Sequence, residues 1–188
     1  MKGSITIGLF CLCLLACHRD DTHIRFWLPA KTSIGANTFG FLLNDKVWVP
    51  FGETCTWAGC RKNLSARFFK SDASVSLYAD RKLYVDDNPQ YESVYLELKT
   101  RSMGPGTYFA VGDSVQLSYY PHNEDVPYVS SGPDGEFVLT LTRLDTLAGI
   151  VSGEFRGTLY RYGFMGPVSR TDTLVVADGR FDVRLEEP

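Results

Sequence analysis

Apolar and polar side chains alternate with a period of two along most of the chain. The clearest run is the first, where Phe39, Phe41 and Leu43 occupy every second position before the pair Asn44-Asp45. This pattern predicts a tight antiparallel hairpin, because alternate strand residues point to opposite faces and Asn and Asp accept the backbone conformation of a turn. The partner strand carries Val47 and Val49, and further alternating runs occupy 64–69, 75–80, 83–85, 94–99, 115–120, 137–142 and 151–160.

The last alternating run lies near the end of the chain and holds a second turn signal. Asp178-Gly179 is a dipeptide typical of two-residue hairpin loops. We therefore predict a hairpin in which residues 173–176 pair with residues 180–185. Glycines within the run 151–160 indicate a β-bulge or close packing between sheets.

The whole pattern predicts an all-β fold. No segment shows a helical period over three turns, and no repeat or linker divides the chain. About ten short strands, with turn signals at short spacing between them, favour an antiparallel β-sandwich, with a closed calycin-like β-barrel as the alternative. The uneven lengths of strands and loops favour the sandwich. We predict a single all-β domain over residues 28–188.

Five short motifs carry a family resemblance: Leu28-Pro29, GANTFG at 35–40, VWVP at 47–50, IVSGEF at 150–155 and DGRFDV at 178–183. Together they resemble a family of small, uncharacterised lipoproteins of Bacteroidota-type bacteria. The chain departs from the family pattern at Phe41, where the family usually has an aliphatic residue or Cys, and at Asp45, where it usually has Gly. The resemblance implies an envelope lipoprotein, and because the family has no assigned activity it transfers no catalytic residue.

The first residues resemble a lipoprotein signal peptide. Lys2 supplies a positive charge, and the apolar run 5–15 is too short to cross a bilayer as a stable helix. The run ends in Ala16-Cys17, which resembles the lipobox of bacterial lipoproteins, where cleavage before the Cys exposes it to acylation. We therefore predict a signal peptide over 1–16, palmitate or a similar acyl chain on Cys17 and a lipidated tether over 17–27. The alternative is an ordinary secretory signal.

The predicted location is the outer membrane, which the protein contacts through its lipid anchor. Asp20 and Asp21 follow the anchor closely, and in lipoproteins of this kind such residues resemble a signal for display at the cell surface. A solvated tether is the alternative reading, so the periplasmic face and the cell surface both stay open. The formal net charge of −3 offers no basic surface, and we expect no nucleic-acid partner.

Two cysteines remain after the signal peptide and the acylated residue are set aside. An even number of remaining cysteines in an exported protein predicts a disulfide, here between Cys55 and Cys60. Two free thiols in a loop are the alternative. A metal site is disfavoured, because two thiolates lack further ligands nearby. The loop with His122, Glu124 and Asp125 offers oxygen and imidazole ligands for a divalent cation, but its spacing matches no EF-hand pattern, and a solvated loop between prolines is the commoner case. We therefore predict neither a metal nor another cofactor, with a cation site in this loop as the alternative.

No residue is identified as catalytic. No Ser lies in a nucleophile-elbow motif, and the acidic pairs Asp86-Asp87 and Glu186-Glu187 are typical of a turn and a terminus. A glycosidase needs two carboxylates that converge in a cleft, and sequence does not reveal convergence. An enzyme that acts on envelope or extracellular glycans is therefore an alternative to the main prediction.

Aromatic side chains supply the remaining functional signal. They make up 13% of the residues, and many occupy strand positions opposite the predicted core positions. On one sheet face they would form a platform for a glycan or for another envelope protein; alternatively, they cover the second face of the sandwich or pack under loops. We predict a lipid-anchored binding or assembly module, with a purely structural envelope subunit as a further alternative. The candidate binding face comprises Trp48, Phe69, Tyr78, Tyr84, Tyr95, Tyr120 and Tyr160.

Overall fold

The computed structural model describes residues 19–56, 59–100, 103–110, 114–122, 124, 126–130, 136–163, 166–167 and 172–186. These residues contain strands and no helix, which confirms the predicted all-β class. Accordingly, none of them forms a helix long and apolar enough to cross a bilayer. The predicted signal peptide and Cys17 lie outside the described residues.

The strands are β1 (Thr38–Leu43), β2 (Lys46–Trp48), β3 (Thr54–Thr56), β4 (Gly59–Arg61), β5 (Leu64–Phe69), β6 (Ser74–Val85), β7 (Asn88–Lys99), β8 (Gly106–Phe109), β9 (Val115–Tyr120), β10 (Tyr128–Val129), β11 (Val138–Asp145), β12 (Ile150–Gly163), β13 (Gly166–Pro167) and β14 (Thr173–Arg184).

Twelve strands of the described residues form one antiparallel sheet. The path through it runs β2-β1-β14-β12-β10-β9-β7-β6-β5, with β11 and β13 beside β12 and β8 beside β11. The sheet is open, with β2 and β5 at its two ends, so the closed barrel is not the architecture. An open sheet that encloses one apolar core agrees with the predicted β-sandwich. The remaining two strands, β3 and β4, form a separate ribbon.

Two hairpin turns are built from residues in the left-handed backbone conformation. Asn44 and Asp45 have φ angles of +46° and +64°, and Asp86 and Asp87 have φ angles of +48° and +64°. Positive φ at both central residues matches a type I′ turn, whose twist suits the right-handed twist of the flanking strands. The β1–β2 hairpin is therefore confirmed. The run 83–85 is not a separate short strand, because β6 continues through it to the Asp86-Asp87 turn.

The predicted hairpin around Asp178-Gly179 is wrong, because β14 continues from Thr173 to Arg184. The pair lies in a bulge instead, since the register of β14 shifts here against both β1 and β12. Asp178 has a φ of +50°, a left-handed conformation that bulges and turns share. A Cβ atom at Gly179 would lie 2.5 Å from the carbonyl oxygen of Phe155, so glycine is required beside β12.

The core lies between the two ends of the folded sheet. It combines buried side chains from β1, β11, β12 and β14 with those from β5, β6, β7 and β9. Phe155 on β12 is at the centre of its aromatic part. The Phe155 ring centre lies 5.5 Å from that of Phe39, 5.8 Å from Phe41, 6.1 Å from Phe137 and 6.3 Å from Phe181.

The segment before β1 packs against the sheet. The Asp21 backbone N–H donates to the Tyr84 carbonyl at 2.8 Å, and the Asp21 residue is only 8% exposed. Further along, the Phe26 ring meets the Phe51 ring edge-on at 5.1 Å. The described part of the predicted tether, residues 19–27, is therefore held against β6 and the residues that follow β2.

Candidate functional site

Strand register brings tyrosines from three strands to one face of the sheet. Tyr78 on β6 is the direct partner of Tyr95 on β7, and Tyr120 on β9 is the direct partner of Ser93. Opposed residues in antiparallel strands point to the same face, as do residues two positions apart along one strand. This outer face, hereafter the tyrosine face, carries Tyr78, Tyr84, Tyr91, Tyr95 and Tyr120.

Two predicted members of the binding face are buried, which corrects the prediction for them. Trp48 is 1% exposed, because its register opposite Phe41 turns both rings into the core. Tyr160 on β12 is 5% exposed. Phe69 is exposed, but it lies at the end of β5 that is remote from the Asp86-Asp87 turn.

The accessible part of the tyrosine face surrounds Tyr91 and Tyr120, which are 45% and 42% exposed. The Lys82 ammonium lies 5.1 Å from the Tyr84 ring centre and 5.2 Å from the Tyr91 ring centre. Hydrogen bonding to Tyr84 and then to Tyr91 raises the pKa of Lys82, so its positive charge is held at this surface. Nearby, His122 Nδ1 accepts the Tyr91 backbone N–H at 2.9 Å. Aromatic rings, a cation and an imidazole are thus grouped on one exposed surface.

Tyr91 is a candidate residue that the sequence analysis does not identify. It lies in the first half of β7, where the apolar alternation that marks strands is absent and begins only at Val94. The signal that would have revealed it is the aromatic alternation of Tyr91 with Tyr95 on either side of Ser93, combined with the turn at residues 86–87.

Tyr78 is covered by the neighbouring ribbon. Arg61 Nη2 donates to the Tyr78 hydroxyl and to Asp80 Oδ2, both at 2.7 Å, and the guanidinium carbon lies 4.6 Å from the Tyr78 ring centre. Burial raises the pKa of the Tyr78 hydroxyl, and hydrogen bonding with Asp80 raises it further. Tyr78 and Asp80 therefore attach the β3–β4 ribbon to the sheet, and the Tyr78 ring is only partly accessible.

Cys55 and Cys60 form a disulfide across the β3–β4 ribbon, in agreement with the prediction from the sequence. The two sulfurs and a Glu53 carboxylate oxygen lie within 4.8 Å of one another, which is the spacing of a metal site. Because the sulfurs are bonded to each other, they are not available as thiolate ligands. Among the described residues this is the only such group, so the structure assigns no metal ligand.

We expect the variant Cys55→Ser/Cys60→Ser to fold with native far-UV circular dichroism and a modestly lower melting temperature. The bridge encloses a short loop, with a separation of 5 residues along the chain. In the chain-entropy model such a ring contributes only roughly 2 kcal/mol. The contacts of Arg61 with Tyr78 and Asp80 retain the ribbon without the bridge. Global unfolding of the double variant, or two free thiols in oxidised wild-type protein, would contradict this assignment.

A partly buried ion pair lies on the inner side of the β6–β7 hairpin. Glu92 Oε2 accepts from Arg81 Nη2 and from Trp48 Nε1, each at 2.6 Å. Arg81 and Glu92 are direct cross-strand partners, so this pair fixes β2 against β6 and β7. Burial raises the pKa of the adjacent Tyr119 hydroxyl, and the nearby Glu92 charge raises it further. With its charges mutually satisfied, this cluster has the character of a structural ion pair.

A groove of about 510 Å³ lies beside the β5–β6 turn, opposite the turn between β11 and β12. Leu147 is fully exposed on its rim, and Phe69 is 44% exposed. A second groove of about 720 Å³ shares Arg184, Leu185 and Glu186 with the first. Exposed apolar side chains at a concave surface are typical of protein-binding sites. The first groove is lined chiefly by Phe68, Phe69, Lys70, Leu147, Arg184 and Leu185.

Comparison of the chain with family models, with curated proteins and with solved structures finds no match. The similarity to envelope lipoproteins therefore stays a prediction based on the sequence motifs. Any functional assignment depends on the tyrosine face, the grooves and the N-terminal segment themselves.

Proposed function

We propose that this protein is a lipid-anchored outer-membrane protein that binds glycans through the tyrosine face. The observation that carries the binding proposal is the register of β6, β7 and β9, which aligns tyrosine rings on one outer face and leaves Tyr91 and Tyr120 exposed. The anchor and the location rest on the lipobox-like sequence that ends at Cys17.

Sugar chemistry fits this surface. The apolar C–H face of a pyranose packs against an aromatic ring, while its hydroxyls need polar partners such as Lys82 and His122. Because Tyr78 is covered, the accessible part runs along β6 from Asp80, which is level with Tyr120, to Tyr84. This stretch extends over roughly 14 Å, since each strand residue adds about 3.4 Å. The tyrosine face therefore has the length of a short oligosaccharide rather than of a single sugar.

A glycan array probed with the unlipidated Cys17→Ala protein tests the proposal. For any glycan bound, we expect Tyr91→Ala and Tyr120→Ala each to weaken binding by roughly 1–2 kcal/mol, as for truncation of an anchoring aromatic residue. The control is Phe109→Ala, which removes a ring that is 54% exposed on β8, a strand that is separated from β9 in the sheet by β11, β12 and β10. Binding that is equally sensitive to all three substitutions, or to none, would contradict the assignment.

Assembly with another envelope protein is the second candidate function. The exposed Leu147 and Phe69 beside the 510 Å³ groove favour it, because apolar side chains of this kind anchor protein interfaces. The glycan proposal ranks first because the tyrosine face combines several aligned rings with polar groups on one surface.

A further inference from the structure

The chain is tied to the tip of the β6–β7 hairpin from the first residue that the structure describes. The Arg19 backbone N–H donates to Asp87 Oδ1 at 2.6 Å, and the Asp87 backbone N–H donates to the Arg19 carbonyl at 3.1 Å. Arg19 is thus bonded in both directions to a residue of the Asp86-Asp87 turn.

A second pair of bonds follows two residues later. The Asp21 N–H donates to the Tyr84 carbonyl at 2.8 Å, and the Tyr84 N–H donates to Asp21 Oδ2 at 3.0 Å. The Arg19 guanidinium adds an ion pair with Asp21 at 3.5 Å and lies 4.1 Å from the Tyr84 ring centre. The segment is therefore fixed to the hairpin by its backbone and by its side chains.

We infer that the tip of the β6–β7 hairpin faces the bilayer surface at close range. The inference rests on the proposed lipidation of Cys17, which precedes Arg19 by two positions in the sequence. Two residues span at most roughly 7 Å when fully extended. The acylated residue is consequently unable to move far from Asp87. The anchor therefore orients the domain, which a long flexible tether would not do.

The charges at this end indicate contact with the headgroups rather than insertion. Asp20, Asp21, Asp86 and Asp87 all lie at or beside the tip, and burying carboxylates in the hydrocarbon layer is costly. Attraction to anionic lipids is also disfavoured by this acidic group. The acyl chain therefore supplies the affinity, and the docked segment supplies the orientation.

This orientation places the two candidate binding surfaces, the tyrosine face and the groove with Leu147, at different distances from the bilayer. Tyr91 is four residues from Asp87 along the hairpin, which corresponds to roughly 14 Å. β6 has 12 residues and so extends over roughly 40 Å to the β5–β6 turn. The groove with Leu147, which adjoins that turn, is at the end of the hairpin that points away from the tip. The tyrosine face then lies above the headgroups, and the groove is the more distant surface.

Fluorescence quenching on the lipidated full-length protein tests the orientation. Single substitutions Asn88→Cys, beside the tip, and Leu147→Cys, at the distant groove, are labelled with one fluorophore while the Cys55–Cys60 bridge stays oxidised. The proteins are bound to phosphatidylcholine vesicles that contain a lipid with a headgroup nitroxide. We expect quenching at position 88 to exceed quenching at position 147 several-fold. Equal quenching at both positions would overturn the inference.

A released variant isolates the contribution of the docked segment. Asp21→Ala/Asp87→Gly removes both carboxylate acceptors, while Gly preserves the positive φ of the turn. We expect this variant to remain bound to vesicles with a ratio of quenching that falls towards one; an unchanged ratio would overturn the role of docking. Co-sedimentation with vesicles reports separately on the anchor, and Cys17→Ala is its control. If wild-type protein and Cys17→Ala both fail to sediment, the proposed lipid anchor is wrong and the orientation fails with it.

Discussion

Replacing Phe155 by Ala is expected to lower the free energy of unfolding by about 3–5 kcal/mol, the range observed for truncation of a buried Phe. Phe155 is 2% exposed and meets the rings of Phe39, Phe41, Phe137 and Phe181. Its removal leaves a cavity that the surrounding strands are poorly able to fill, because hydrogen-bonded ladders fix the backbones of β1, β11, β12 and β14 relative to one another. The loss therefore includes both the transfer free energy of the ring and the cost of the cavity.

Urea unfolding followed by far-UV circular dichroism measures this effect. The matched control is Phe109→Ala on β8, which removes the same side chain from a position that is 54% exposed. We expect the control to cost well under half as much, because a half-exposed ring transfers less area from water. Similar losses for the two variants would show that the core is not centred on Phe155.

Asp182→Asn is expected to destabilise the fold by about 3 kcal/mol, because buried donors that lose an acceptor cost about 1–3 kcal/mol each. Asp182 is 1% exposed, and its two carboxylate oxygens accept hydrogen bonds from five donors. An amide at this position would turn an NH₂ group towards other donors. The donors are Thr32 Oγ1 at 2.6 Å, Ser152 Oγ at 2.7 Å, and the backbone N–H groups of Gly35 at 2.8 Å, Ile34 at 3.0 Å and Ala36 at 3.1 Å.

The same network makes stability depend on acid pH. Burial alone would raise the pKa of Asp182, but the hydrogen bonds from Thr32, Ser152 and the backbone outweigh it and hold the pKa well below its usual range. A carboxyl group with a depressed folded-state pKa stabilises the fold above its unfolded-state pKa, near 3.9, and this stabilisation is lost as the pH falls towards the folded-state value. Wild-type stability should therefore decline below about pH 4 by more than that of Asp182→Asn.

Denaturant titrations of both proteins between roughly pH 6 and pH 2 check this difference. The control is Asp178→Asn, whose side chain is 61% exposed and whose left-handed backbone Asn accepts. It should change stability by less than about 0.5 kcal/mol at neutral pH, as is usual for surface substitutions. An Asp182→Asn protein with the pH profile of the wild type would mean that this carboxylate does not hold the 32–36 loop.

The candidate site could be predicted in part, because strand alternation assigns a side chain to a face. Tyr78, Tyr95 and Tyr120 belong to strands that also carry a clear apolar face, and all three lie opposite it in the structure. Trp48 has the same local signature, but β2 has only three residues, and its pairing with Phe41 directs the indole inwards. A short strand offers too few positions for its own pattern to decide which face is buried.

Local chemistry also does not distinguish a turn from a bulge. Asn44-Asp45 and Asp178-Gly179 both supply a residue that accepts positive φ, and the first pair forms the predicted hairpin. At Asp178 the chain continues straight on, because β14 pairs with β1 on one side and with β12 on the other. Those two ladders hold β14 extended on both sides of the bulge. They provide more backbone hydrogen bonds than a tight hairpin at Asp178 would form.

The amino-acid sequence alone sufficed to predict the all-β class, most of the strands, the β1–β2 turn and the pairing of Cys55 with Cys60. Each of these depends on neighbours along the chain, and the period-two pattern and turn residues report on such neighbours directly. The three-dimensional structure was needed to show that the sheet is open, that Trp48 and Tyr160 are buried and that Arg19 is bonded to Asp87. These features join residues that are far apart in sequence. Their stabilising free energy comes from long-range strand pairing and burial. Neither of the two segments that meet shows a periodic sequence pattern that would reveal such a contact.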